Sequence, residues 1–160
     1  MSEMLALSAH LPQRVFEAGG VVVREGEPGG AIWVLVSGAL SVRKAGVAVN
    51  TITHPGAIVG EISALLATAY SATVEATERS VLRHADDAQA LLDSHPAITR
   101  LVAIGLAERL NFVTTYLADL KLQYGDAPGL TMAAEVLRQL SERQVERARP
   151  GSARDPNPEY

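Results

Sequence analysis

Between Val15 and His84 apolar and polar positions come in short runs, several alternating with a period of two, and after His84 the period becomes helical. Val21–Val23, Ile32–Val36, Leu40–Arg43, Val47–Ile52, Ser71–Ala76 and Val81–Leu82 are strand-length runs parted by glycine-bearing turns. Short strands with turn signals at this spacing predict an antiparallel sandwich or barrel. The alternation places Ala72, Val74 and Ala76 on one face and Ser71, Thr73 and Glu75 on the other. Between two strands, Glu61 opens a short apolar helix directly after Gly60.

Beyond His84, Ala85 to Leu92 reads as a short helix with an acidic start. His95-Pro96 breaks it, and Ala97 to Leu120 follows as one long amphipathic helix with proline near its start. Thr99, Ala103, Leu106, Leu110, Val113, Leu117 and Leu120 recur in steps of four and three, which is a heptad seam. Ile98, Leu101, Gly105, Phe112 and Tyr116 form a second apolar face. The seam either packs on the barrel or pairs with a second copy, giving a homodimer through the 97–120 helix. Gly125 to Gly129 is a linker by composition, and Thr131 caps a last short helix to about Gln144. Pro150 to Tyr160 has the composition of a disordered tail. The expected organisation is a domain over 1–124, with its barrel at about 12–84 and helices at 85–124, followed by the 125–160 segment.

Composition narrows the chemistry. With 160 residues, 48% of them apolar, the chain can bury a core. A net charge of −4 argues against direct DNA binding, and the arginines after Leu120 are offset by acids. The absence of cysteine removes disulfides, thiolate catalysis and cysteine-based metal sites. The N-terminus lacks a basic stretch ahead of an apolar run, and Ala31–Val36 is far too short for a membrane span. A cytoplasmic protein without membrane contact is the expectation.

The segment from Ile58 to Val74 carries the candidate chemistry. Gly60 lets backbone approach a ligand, and the first amides of the helix at Glu61, Ile62 and Ser63 direct N–H groups at an anion. These residues stand in an ordered series: Arg24-Glu25-Gly26, Glu27-Pro28-Gly29, Trp33 to Gly38, Pro55-Gly56, Gly60-Glu61-Ile62-Ser63-Ala64 and Ser71-Ala72-Thr73-Val74. Over residues 12–120 this series resembles the cyclic nucleotide-binding domain, the sensor module of catabolite-activator-type regulators, cyclic-nucleotide-dependent kinases and gated channels. The resemblance implies a mainly β fold with C-terminal helices, a double-stranded β-helix (jelly-roll) barrel followed by a long amphipathic helix. It also implies a non-catalytic sensor whose ligand is cAMP or cGMP, with no metal and no other cofactor.

Carried over residue by residue, the resemblance makes Glu61 the acceptor for the ribose 2′-hydroxyl. The amides of Ile62 and Ser63 and the Ser71 hydroxyl then donate to the phosphate, with Gly60, Ala72 and Thr73 completing the site and Thr73 beside the purine. Tyr70 is the departure, standing where the family places its phosphate-holding arginine. A tyrosine offers one neutral donor in place of a charged, often bidentate one. Three outcomes follow: weak cyclic nucleotide binding, a turn toward a nucleoside-like ligand, or a degenerate cassette on a dimerisation or protein-interaction module. Output would pass through the C-terminal helices to an unknown effector protein. The rival enzyme reading would use His10, His54, His84 and His95. None of these sits at metal-ligand spacing, and no nucleophile elbow or phosphate-binding P-loop is present.

Overall fold

The computed structural model describes residues 2–125, 132 and 135–140. The chain divides into two compact units, residues 1–104 and 105–160. In the first, a short helix α1 (Glu3–Leu7) precedes strands β1 (Gln13–Phe16), β2 (Val21–Val23), β3 (Ile32–Ser37), β4 (Leu40–Lys44), β5 (Val47–Ile52) and β6 (Ile58–Val59). Helix α2 (Glu61–Leu66), strands β7 (Thr73–Ala76) and β8 (Ser80–Ala85) and helix α3 (Ala88–Ser94) come next, and α4 (Pro96–Tyr124) runs on into the second unit.

The strands form two four-stranded antiparallel sheets, ordered β1-β8-β3-β6 and β2-β7-β4-β5. Apart from the β4–β5 hairpin, sequence neighbours alternate between the sheets, which is the jelly-roll arrangement expected. Alternation puts Phe16, Trp33, Leu35, Leu40, Val59, Val74, Ala76 and Leu82 into one cluster. Strand β3 is apolar at nearly every position because both its faces are covered. Trp33 and Leu35 join the inner cluster, while Ile32 and Val34 are equally buried on the other face, where α1 contacts the strand.

Packing locates the helices. Arg83 of β8 donates through Nη1 to the Leu5 carbonyl at 2.5 Å and to Ser8 Oγ at 3.2 Å, tying α1 to the sheet by its C-terminal end. Helix α3 begins three residues later than the acidic pattern suggested. Ala85 is still a strand residue, paired with Ile32, and the Asp87 carboxylate accepts from Ala90 N–H at 2.9 Å as N-cap. Asp87→Ala is expected to lower unfolding free energy by about 1 kcal/mol, the usual worth of such a cap. Urea denaturation checks it, and a loss below about 0.3 kcal/mol would mean the cap contributes nothing.

In α4 the residues buried are Ile98 and Val102, one turn apart. Of the second apolar face only Ile98 is buried, while Phe112 and Tyr116 are exposed, and Val102 belongs to neither face. The heptad seam stays open at Ala103, Leu110 and Val113. By length and composition α4 is the one helix among the described residues able to cross a membrane. The short helix expected from Thr131 is seen at 135–140. Thr131, the linker after Gly125 and the Pro150–Tyr160 tail lie outside the described residues.

Candidate functional site

The candidate site is built from the β6–α2 turn and the segment leading into β7. Gly60 ends the strand at φ 94° and is the N-cap of α2. A side chain there would place Cβ 2.4 Å from the Ala31 carbonyl oxygen, so only glycine lets the turn sit against the entry to β3. The first α-helical bond runs from Ala64 N–H to Gly60 O at 3.1 Å, and the amides of Glu61, Ile62 and Ser63 precede it. Ser63 Oγ donates to Gly60 O at 2.9 Å, tightening the turn.

Glu61 is 3% exposed and engaged within the chain, while Ile62 lies at the surface. Ser63 is buried, Ser71 exposed, and Ala72 and Thr73 half-buried. The Ser71 hydroxyl makes no hydrogen bond to the described residues and is open to a ligand. Thr73 Oγ1 instead accepts from Glu25 N–H at 3.0 Å. Gly60 and Tyr70 are brought together: the tyrosine ring passes 3.4 Å from the place a Gly60 Cβ would take. That ring packs against the barrel core, and its hydroxyl reaches the Ala31 carbonyl at 3.4 Å, a long and weak contact.

The sequence marks the turns at Gly26 and Gly29 but not what they touch. The loop between β2 and β3 clasps the cassette through reciprocal backbone bonds, Gly26 N–H to Tyr70 O at 2.9 Å and Tyr70 N–H to Glu27 O at 3.0 Å. Gly29 presses on the same segment, since a Cβ on it would meet the Thr68 carbonyl and the Ser63 side chain within 2.7 Å. Glu25 extends the clasp by accepting from Ala45 N–H at 2.8 Å. The turn residues are part of the resemblance, but their bonding to Tyr70 is set by the path of a loop more than forty residues earlier in the chain.

A cavity of about 730 Å³ lies behind α2, lined by Gly29, Gly30, Ser63, Thr68, Asp86 and Asp87 among others. Of the candidate residues only Ser63 reaches it. Among the described residues no group of three or more metal-ligating side chains occurs. Among the described residues one pKa shift is resolved, in the second unit: a hydrogen bond from Arg138 holds Glu135 down to about 2.

Chemically, the turn presents helix-end amides, a hydroxyl at Ser71 and a buried carboxylate at Glu61, which are groups able to hold an anion and a polyol. Comparison with known proteins identifies the fold and the family. A solved structure from a bacterial cyclic-GMP-dependent signalling pathway regulating phytopathogenesis is 25% identical, covering 69% of this chain and 94% of that one with a TM-score of 0.59. The Thermus thermophilus catabolite activator protein is 22% identical over 92% of this chain and 85% of its own, with a TM-score of 0.58. A protein kinase A regulatory domain bound to Sp-2Cl-cAMPS shares 19% identity over 72% and 75%, with a TM-score of 0.56. No curated protein matches by sequence. The sequence model of the cyclic nucleotide-binding domain matches residues 13–105, more than half of the chain and the whole of the double sheet. On that match and on the jelly roll with its α2 turn, the chain belongs to the cyclic nucleotide-binding domain family.

Proposed function

We propose that this chain is a non-catalytic sensor that binds cAMP or cGMP at the Gly60–Thr73 cassette and signals through α3 and α4. The observation that carries the reading is the α2 turn: Gly60 at φ 94° opens a helix on its end amides, with Glu61 buried at its first position and the Ser71 hydroxyl exposed in the same cassette. In this reading Glu61 takes the ribose 2′-hydroxyl, and Ile62 N–H, Ser63 N–H and Ser71 Oγ take the phosphate. Occupancy shifts α2 and with it α3, which it contacts.

Tyr70 sets the affinity. A hydrogen bond to a charged group is worth about 1.5–3 kcal/mol, so replacing the family's arginine weakens phosphate binding roughly ten- to a hundred-fold. Tyr70→Arg is therefore expected to tighten cAMP or cGMP binding by that factor in calorimetric titration. It should also lower thermal stability, because the ring packs on the core. No gain in affinity in a folded Tyr70→Arg protein would show that the site does not hold a cyclic phosphate.

A second reading has its own observation. The Tyr70 ring lies over Gly60 and is anchored to the barrel, while Leu110, Phe112, Val113 and Tyr116 of α4 are exposed. On this reading the cassette takes a nucleoside-like ligand or none, and the chain acts as a homodimer or a docking module for an effector protein. A thermal-shift panel of cyclic nucleotides and nucleosides separates the two, since a ligand raises the melting temperature only where it binds the folded state.

A further inference from the structure

The joint between α3 and α4 is a single residue, His95. It is the C-cap of α3, its N–H bonding Leu91 O at 3.0 Å, and the next residue, Pro96, opens α4. Its imidazole lies face to face with that of His10, in the turn after α1, with centroids 5.0 Å apart and planes 12° from parallel. The proton position on His95 follows from its neighbours. Ser94 Oγ spends its one hydrogen on Ala90 O at 2.6 Å, so it meets His95 Nδ1, 2.9 Å away, as an acceptor. Leu91 O, 3.3 Å from the same nitrogen, is an acceptor too. Neutral His95 therefore carries its hydrogen on Nδ1, and Nε2 is the atom that gains a proton on acidification.

We propose that the stacked His10–His95 pair is a proton-sensitive latch holding the N-terminal segment on the α3–α4 joint. Neutral rings stack favourably, whereas two imidazolium rings in parallel contact repel, and histidine is the side chain suited to changing charge on mild acidification. Among the described residues no carboxylate is ion-paired with either ring. Asp87 is committed to Ala90 N–H and Asp93 to Gln89 Nε2. Glu3 of α1 and Arg100 of α4 make no ion pair with either ring, and Arg83 of β8 brings a further positive charge to Ser8, two residues from His10. The remaining histidine contact on this side works in the opposite sense, because His84 Nδ1 faces Asp86 Oδ1 at 3.1 Å and protonation strengthens that pair.

The test needs no nucleotide and so stands apart from the ligand assignment. Amide protection factors at Leu11, which bonds Ser8 O, and Thr99, which bonds His95 O, are measured by hydrogen exchange at pH 7.5 and 5.5. In the wild type both should fall at least tenfold on acidification relative to amides of β3. His10→Phe keeps a flat ring without a second charge and should hold protection constant. If the phenylalanine disturbs folding, His10→Gln serves the same comparison. Unchanged protection in the wild type, or an equal fall in the His10 variant, overturns the proposal.

Discussion

Gly60→Ala is expected to cost about 2–5 kcal/mol of unfolding free energy and, on the function proposed for the cassette, to remove cyclic nucleotide binding. Two penalties combine. An L side chain in the left-handed region costs about 1–2 kcal/mol, and forcing an extra carbon into a packed contact typically costs a further 1–3 kcal/mol. The obstruction is the Ala31 carbonyl at 2.4 Å, which is backbone and cannot rotate away as a side-chain tip could. Relief must come from moving α2 or from opening the β3–β6 pair at Trp33 and Val59. Either movement turns the amides of Ile62 and Ser63 from their present direction. Urea denaturation with calorimetric titration measures both effects. A variant less than about 1 kcal/mol below wild type would show that the turn has room the geometry denies.

Leu82→Ala is the substitution expected to damage the barrel most, by about 2–5 kcal/mol. Leu82 is fully buried in β8, the strand that β1 and β3 share, and sits in register with Arg14 and Leu35. Few neighbours can close the space, because a strand paired on both sides cannot shift without breaking two ladders. A domain of this size has a stability of about 5–15 kcal/mol, so the loss is a large share. Val47→Ala on the edge strand β5, 64% exposed, is the matched control and should change stability by no more than about 0.5 kcal/mol. Equal losses at the two positions would contradict the assigned core.

Periodicity located most elements because it reports on one face of one strand or helix at a time. β5 has the limits its alternation predicted, and β2, β3 and β4 differ by a residue or less at each end. Helix α1 was invisible. Five residues with one buried side chain, Met4, are too few to hold a helix alone, and it persists through Arg83. Strand β6 is two residues long, and the glycine turn after it rather than any period marked a strand ending at Gly60; β3 pairs with it. In the cassette, Gly60 and the start of α2 were legible from residue type, whereas the bond that Thr73 Oγ1 accepts from Glu25 N–H joins residues 48 apart and leaves no local pattern.

The amino-acid order alone specified a barrel of short strands, a glycine-led helix turn with Glu61 in its first position, and a tyrosine in place of an arginine. Each of these is a local property, decided by side-chain period, backbone freedom or donor chemistry within a few residues. The fold decided where the Tyr70 ring points, which loop clasps the cassette, and that Arg83 reaches a carbonyl 78 residues away. Those contacts depend on which distant strands pair and how closely their loops then pack, and a linear pattern carries no measure of distance in space.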